Sequence, residues 1–181
     1  MTDQELVAAA RDGDDDAFKE LVVRYEPVVA ATIIGMLGDC PEAEDAGQET
    51  FISFYRGLKD FRGESTVKTY LTRIAMNHAI NEIRRKKRKN KVFSSAPLDE
   101  SRDIPDPRSK RPEGPDIELI QGAIARLDEE FRSVIVLRLI DGYSTSETAE
   151  ILGIPVGTVL SRLSRAQQKL RRMLKPLYGE I

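Results

Sequence analysis

Apolar residues recur at intervals of three or four positions along most of the chain, which is the spacing of amphipathic α-helices. One such stretch begins at Asp15 or Asp16, either of which suits an N-cap, and another begins at Pro41, where proline fits the first turn of a helix. A third begins near Ser65 or Thr66. No stretch shows the sustained alternation of apolar and polar residues that marks a strand. The chain is therefore predicted to be all-α.

The helical pattern is interrupted between residues 92 and 116. Five of the nine prolines lie in this stretch, and the other residues are mostly polar, so the segment has too little apolar surface to order itself. An irregular segment of this length is uncommon inside a compact domain. We therefore predict two small helical domains, residues 1–91 and 117–181, joined by a flexible linker at residues 92–116. The five prolines are Pro97, Pro105, Pro107, Pro112 and Pro115.

The segment from residue 142 to residue 170 has the layout of a DNA-binding helix-turn-helix. A short helix is predicted from about Ser146 to Leu152, and a longer one begins at Val156 after a tight turn. Gly153 suits the left-handed conformation that follows the end of a helix. Pro155 lies where a missing N–H costs little. The second helix of such a unit enters the major groove.

One face of this second helix is apolar when its residues are placed at about 100° intervals. That face is predicted to pack into the core, and it comprises Val156, Val159, Leu163, Ala166 and Leu170. The opposite face carries hydroxyl, amide and cationic groups, which suit base edges and phosphates. A solvated helix face without a ligand is the alternative interpretation. The candidate DNA-binding residues are Thr158, Ser161, Arg162, Ser164, Arg165 and Lys169.

The total charge of −2 conceals an alternation of charge along the chain. Residues 1–65 carry a net charge of −9 and residues 66–91 carry +8, whereas residues 92–130 carry −5 and residues 131–181 carry +4. Two basic blocks therefore alternate with two acidic ones. This pattern favours two separate contacts with polyanions and leaves acidic surfaces for protein partners.

The third predicted helix ends in a basic run, residues 84–91, in which seven of eight side chains are cationic. The same helix carries Tyr70, Asn77 and Asn81, and aromatic and amide groups beside a cationic track are suited to unstacked single-stranded bases. A plain solvated helix end is the alternative interpretation, and Tyr70 also suits a core position. His78 is the one histidine, and we expect it at the core boundary rather than as a ligand or a base.

Composition argues against several other functions. The single cysteine, Cys40, excludes an internal disulfide framework, and no cluster of cysteine and histidine residues suits a metal. No apolar run approaches the roughly twenty residues needed to cross a bilayer, so we expect a cytoplasmic protein without membrane insertion. No paired carboxylates, activated nucleophile or glycine-rich phosphate loop is recognisable. Neither an enzyme nor a cofactor is predicted.

Both predicted domains resemble those of bacterial sigma factors of the extracytoplasmic-function (ECF) class, and the resemblance covers nearly the whole chain. In the first domain it lies in AFKELVVRYEPVV (17–29), EDAGQETFISFYRGL (44–58) and FRGESTVKTYLTRIAMNHAINEIRRKKR (61–88). In the second it lies in IARLDEEFRSVIVLRLIDGYSTSETAEILGIPVGTVLSRLSRAQQKL (124–170). The resemblance implies a subunit that binds core RNA polymerase, directs it to promoter DNA and helps to melt that DNA.

The resemblance also implies roles for residues of the first domain. One set would face the clamp helices of the largest polymerase subunit, namely Asp45, Gln48, Glu49, Ser53 and Arg56. Phe61 and Asn77 would line a pocket for a base flipped out of the −10 element, and the start of the basic run would hold phosphates. The full −10 set is Phe61, Tyr70, Asn77, Asn81, Arg84, Arg85, Lys86 and Lys87.

In the second domain the resemblance implies recognition of the −35 element. Ser161, Ser164 and Arg165 would lie nearest the bases, whereas Arg162 and Lys169 would meet phosphates. Members of the family are commonly held inactive by an anti-sigma factor, which makes such a protein an expected partner.

Several residues depart from the family pattern. Tyr70 stands where tryptophan is usual, Asn81 where aspartate is usual, and Asp128 where proline is common. Leu160 and Gln167 replace residues that are usually basic, which predicts a weaker phosphate grip at the −35 element. A helix-turn-helix regulator that acts without polymerase is the main alternative function. It leaves the first domain unexplained.

Overall fold

A computed structural model describes residues 1–93 and 115–178. The N-terminal half contains α1 (Asp3–Arg11), α2 (Asp15–Leu37), α3 (Pro41–Gly57) and α4 (Val67–Phe93). The C-terminal half contains α5 (Pro115–Ala125), α6 (Glu129–Ile135), a π-helical turn (Val136–Ile140), α7 (Thr145–Leu152) and α8 (Val156–Tyr178). No strand occurs within the described residues. The predicted all-α class is confirmed.

The start of α2 differs from the prediction by one residue. Asp14, and neither Asp15 nor Asp16, is the N-cap, because its carboxylate accepts a hydrogen bond from the Asp16 backbone N–H at 3.0 Å. Asp15 and Asp16 instead lie in the first turn, where negative charge is favourable at the positive end of the helix dipole. The predicted start of α3 at Pro41 is confirmed.

Helices include the first two and the last two residues of the stretch that was predicted to be a linker, residues 92–116. α4 continues to Phe93, two residues into the predicted linker, and α5 begins at Pro115, before its predicted end. Pro115 does not prevent the helix because it is the first helical residue, where a backbone N–H has no intrahelical partner. The other four prolines of that stretch lie outside the described residues.

The helices α1 to α4 share one apolar core. Leu6, Leu21, Phe54 and Leu71 are each 0% exposed, so all four helices contribute to it. The Phe54 ring lies 6.0 Å from the ring of Tyr70 between centroids. This core fixes α3 and α4 relative to each other and therefore positions the side chains on their outer faces.

The helix-turn-helix unit packs on a second core formed with α5 and α6. Val134, Val159 and Ala166 are each 0% exposed within it, while Leu163 and Leu170 are partly buried against it. Val156, which was predicted to be a core residue, is 46% exposed. It is the first residue of α8, one turn before the helix meets the core at Val159, so its position on the apolar face does not bury it.

A third apolar cluster joins the two halves. Met36, Met76 and Ala79 of the N-terminal half pack in one cluster with Val136 and Leu137 of the π-helical turn. Two buried threonines add polar contacts across this boundary. The Thr32 hydroxyl donates to Asp141 Oδ2 at 2.8 Å, and the Thr72 and Tyr143 hydroxyls are hydrogen-bonded at 2.7 Å.

Gly35 allows α2 to approach Val136 of the π-helical turn closely, and Gly35→Ala is expected to weaken the contact between the two halves. An added Cβ would lie 2.9 Å from Val136 Cγ1, and the β-branched valine has little freedom to move aside. We expect the free energy of unfolding to fall by about 1–3 kcal/mol. Denaturant unfolding measures this loss, and small-angle scattering of the same variant should show a more extended chain.

Gly47→Ala is the matched control for this experiment. Gly47 also lies within a helix, α3, and an added Cβ there has no heavy atom within 4 Å. It should gain about 0.5–1 kcal/mol from the better helix propensity of alanine. The double variant Gly35→Ala, Val136→Ala should recover part of the lost compactness. A Gly35→Ala protein that behaved like the control would contradict the described contact.

Candidate nucleic-acid interface

Local hydrogen bonds set the geometry of the helix-turn-helix unit. The Ser144 hydroxyl accepts from the Glu147 N–H at 3.2 Å, and the Glu147 carboxylate accepts from the Ser144 N–H at 2.8 Å. This reciprocal capping box starts α7, and the hydrogen bonds from Ser144 lower the pKa of Glu147. Gly153 ends α7 in the left-handed conformation, with φ of 64°, as the sequence predicted. The turn leads directly into α8, which packs against α7.

The outward face of α8 carries the groups that were predicted to read bases. Ser161, Ser164 and Arg165 are exposed, on the side away from the buried Val159 and Ala166. The predicted residue Thr158 is half-buried, and its carbonyl accepts from the Ser161 hydroxyl at 3.0 Å. The exposed serines and Arg165 are therefore free to approach a groove.

The two cations predicted to meet −35 phosphates are engaged within the C-terminal half. Arg162 Nη2 lies 3.0 Å from Glu130 Oε2, and Lys169 Nζ lies 3.4 Å from Asp128 Oδ2. The Lys169 ammonium also lies 4.3 Å from the centroid of the Phe131 ring. All the carboxylates belong to the start of α6, so α6 lies against one flank of the recognition helix.

The same acidic turn also contacts the basic end of α4. Lys87 Nζ lies 2.8 Å from Glu129 Oε2 and 3.6 Å from Asp128 Oδ1, and Arg84 Nε lies 3.4 Å from Glu129 Oε1. The hydrogen bond from Lys87 lowers the pKa of Glu129 to about 2. Because the cations are more than a third exposed, each pair contributes at most about 1 kcal/mol. These ion pairs therefore hold the cations only weakly.

The other two cations of the predicted phosphate set have partners inside the N-terminal half. Arg85 Nε lies 2.8 Å from Glu82 Oε2, and Lys86 Nζ lies 3.1 Å from Glu42 Oε1. The pKa of Glu42 is lowered to about 2, first by a backbone hydrogen bond and then by Lys86. These pairs leave the cations exposed at the surface, where phosphates have access to them.

The aromatic and amide residues of the predicted −10 set fall into two places. Asn77 and Asn81 are exposed and line a cleft of about 580 Å³ between the two halves, together with Arg84 and Lys87. Phe61 instead lines a cavity of about 780 Å³ between α1, the loop after α3 and α7. The structure therefore does not bring Phe61 and Asn77 into one cavity, and their shared base pocket stays a prediction.

Tyr70 links the N-terminal core to the candidate interface. It is half-buried, and its ring lies between Phe54 of the core and Phe61, whose ring centroid is 4.9 Å away. The ring thus packs against the core and against Phe61, and a contact of Tyr70 with the −10 element stays a prediction. The Tyr70 hydroxyl lies 2.9 Å from where a Cβ on Gly57 would stand, so glycine is needed there.

The outer face of α3 presents most of the predicted polymerase-facing set. Asp45, Gln48, Glu49 and Arg56 are exposed, whereas Ser53 is half-buried and its hydroxyl lies 3.0 Å from Nε2 of His78. This hydrogen bond places the histidine at the core boundary, as expected.

Sequence reasoning missed Ile52, which is 41% exposed among these polar groups. Its spacing from Gln48 and Arg56, four residues in each direction, was the available signal. A single exposed apolar side chain is common on protein surfaces, and this one lies within the face that was predicted to meet the polymerase.

Two negative findings apply to residues 1–93 and 115–178. No helix in these ranges is long and apolar enough to cross a membrane. No group of three or more histidine, cysteine, aspartate or glutamate residues within them is arranged to hold a metal ion.

Both halves match known protein families. Residues 21–89 match Sigma-70 region 2, and residues 117–170 match Sigma-70 region 4. Over 187 residues the chain is 37% identical to the ECF RNA polymerase sigma-E factor of Escherichia coli, which covers 98% of this chain and 96% of that protein. It is 34% identical over 186 residues to the RNA polymerase sigma-H factor of Pseudomonas aeruginosa, with coverage of 98% and 96%.

Solved structures show the same fold. The chain resembles CnrH, solved in complex with the cytosolic domain of CnrY, with a TM-score of 0.70, 27% identity and coverage of 97% of this chain and 98% of CnrH. It also resembles the sigma factor RpoE of Bartonella quintana, solved with the anti-sigma factor NepR, with a TM-score of 0.67, 25% identity and coverage of 87% and 96%. With both regions present in order and its length matched by these relatives, the chain belongs to the ECF sigma factors.

Proposed function

We propose that this ECF sigma factor uses its N-terminal half, residues 1–91, to bind core RNA polymerase and the −10 element, and its C-terminal half, residues 117–181, to read the −35 element. The outward face of α8 carries this proposal. Its exposed Ser161, Ser164 and Arg165 stand opposite the buried Val159 and Ala166, which is how a recognition helix presents base-reading groups. Membership of the family makes promoter-specific initiation the function that this surface serves.

The polymerase contact is assigned to the outer face of α3. Its exposed groups Asp45, Gln48, Glu49 and Arg56 surround Ile52, so an apolar anchor lies within a charged rim. This arrangement fits a protein interface better than a nucleic acid, because Asp45 and Glu49 would repel phosphates. The partner proposed for this face is the pair of clamp helices of the largest polymerase subunit.

The −10 contact is assigned to α4 and the loop before it. Asn77 and Asn81 lie beside Arg84 and Lys87 in one cleft, which supports amide contacts to bases with nearby cations for phosphates. Phe61 lies in the second cavity and is assigned to the flipped base. Melting is driven by binding energy in this scheme, and the protein is proposed to carry out no chemical step and to need no cofactor.

An anti-sigma factor is the proposed inhibitor, acting in the cytoplasm where the polymerase works. The related structures support a partner of this kind, since RpoE of Bartonella quintana was solved with the anti-sigma factor NepR. The exposed apolar side chains Val23, Ile34 and Ile52 supply apolar surface on α2 and α3 for such a protein.

Transcription by reconstituted holoenzyme tests the proposed function. The full chain is added to bacterial core RNA polymerase, and promoter-specific transcripts are mapped from a fragmented genomic library of the source organism, with core enzyme alone as the control. We expect new start sites preceded by two shared sequence elements. If the chain failed to bind core polymerase yet bound duplex DNA, the alternative of a polymerase-independent regulator would replace the proposal.

A further inference from the structure

Arg11 at the end of α1 contacts the loop that carries Phe61. Its Nε donates to the Leu58 carbonyl at 3.2 Å, and its Nη2 donates to the Phe61 carbonyl at 2.5 Å. One planar guanidinium thus joins Arg11 to Leu58 and Phe61, which lie 47 and 50 positions further along the chain. The planar fork of N–H donors in arginine holds two carbonyls in a fixed geometry, which the single ammonium of lysine does not.

The Leu58 carbonyl belongs to the C-cap of α3, which ends at Gly57, and the Phe61 carbonyl lies in the loop beyond it. Carbonyls at a helix end lack intrahelical partners and carry the negative end of the helix dipole, so a cation is favoured there. The Phe61 N–H already bonds back to the Gly57 carbonyl at 3.1 Å, which winds the loop tightly. Arg11, which belongs to α1, adds two hydrogen bonds to the same turn.

Phe61 is therefore held at two points. Arg11 grips its backbone carbonyl, and the Tyr70 ring supports its side chain at 4.9 Å. Arg11 and Phe61 also line the same cavity of about 780 Å³. Four carboxylates also line that cavity, those of Asp3, Glu64, Glu147 and Glu150, so it suits an uncharged base and not a phosphate.

We propose that Arg11 is a positioning residue for −10 recognition, which holds the Phe61 loop in the conformation that captures the flipped base. This inference rests on the proposed role of Phe61. The function assigned to α1 is then to support the loop after α3, beyond its packing in the core.

Binding of full-length holoenzyme to forked promoter DNA tests the inference. The fork exposes the −10 element of a promoter recovered in the transcription experiment, with its native bases or with abasic sites at single positions. Arg11→Lys keeps the charge but loses the fork geometry, so we expect affinity for the native fork to fall roughly tenfold, with affinity for the abasic fork unchanged. The dependence of binding on salt should match the wild type.

A double variant separates positioning from a general structural effect. If Arg11 acts through Phe61, adding Arg11→Lys to Phe61→Ala should cause no further loss. Arg24→Lys is the matched control, because Arg24 also fastens α1, through Asp3 at 2.6 Å, but has no contact with the loop. It should bind both forks like the wild type, with circular dichroism confirming that all variants fold.

Three results would overturn the inference about Arg11 and leave the proposed role of Phe61 standing. Arg11→Lys and Arg24→Lys would lose the same affinity if docking of α1 alone mattered. An additive loss in the double variant would mean that Arg11 acts independently of Phe61. If Phe61→Ala lost discrimination between the two forks and Arg11→Lys bound them like the wild type, Arg11 would have no role in −10 recognition, although Phe61 would. Failure of the wild-type holoenzyme to discriminate the two forks would instead reject the −10 role of Phe61, and the inference with it.

Discussion

Arg165→Ala and Asn77→Ala are expected to fail at different steps of initiation. Arg165 is exposed on the outward face of α8, and loss of a base contact from such a side chain costs about 1–3 kcal/mol of discrimination, or roughly ten- to hundredfold in affinity ratio. Asn77 is exposed on α4, in the cleft between the two halves, and is not part of that face. Its removal should slow promoter opening and leave −35 recognition intact.

Two assays on one promoter separate these effects. Competition between native and mutated −35 elements measures discrimination by holoenzyme, and permanganate reactivity of thymines in the −10 element measures melting. Gln167→Ala is a suitable control because Gln167 is exposed on α8 but was not assigned to base contact. The proposed division between the halves would be wrong if Arg165→Ala and Asn77→Ala impaired the same step.

Phe54→Ala is expected to cause the largest loss of stability of any substitution considered. Phe54 is 0% exposed and lies between the rings of Phe18 and Tyr70, each 6.0 Å from it, so truncation leaves a cavity at the centre of the N-terminal core. The expected cost is about 3–5 kcal/mol. Because the whole stability of a domain is about 5–15 kcal/mol, this variant should be partly unfolded near its normal working temperature.

Chemical denaturation followed by circular dichroism measures this loss. Ile52→Ala is the control on the same helix, because Ile52 is 41% exposed and its truncation should change stability by about 0.5 kcal/mol or less. The same control variant should weaken binding to core polymerase if Ile52 anchors that interface. A loss below about 1 kcal/mol for Phe54→Ala would contradict the described core.

Local chemistry made the helix-turn-helix the most predictable part of the structure. The left-handed Gly153 and the start of α8 at Val156 were predicted correctly, because turn and cap preferences act within a few residues. The same local preferences led to the wrong N-cap for α2, since Asp15 or Asp16 was predicted and Asp14 is observed. Asp14 has the carboxylate that reaches the free N–H groups, and that geometry was not evident from residue type alone.

The burial of a residue was predicted correctly only where its helix face packs against other helices of the core. Val159 and Val156 have the same side chain and share the apolar face of α8, but only the former lies against the core. Periodicity gives the direction of a side chain and not the extent of the surface that covers it. Ile52 was missed for the related reason that an apolar residue in a helix is assumed to be buried.

The sequence by itself determined the helices, the two-part organisation and the family, because these depend on periodicity, local turns and motifs that lie along the chain. Only the tertiary structure decided how separate segments meet. It paired Lys87 and Arg84 with Glu129, brought Gly35 against Val136, and joined Arg11 to the carbonyls of the Phe61 loop. Contacts of this kind depend on the relative placement of whole helices, which the packing of several cores determines together and no single segment encodes.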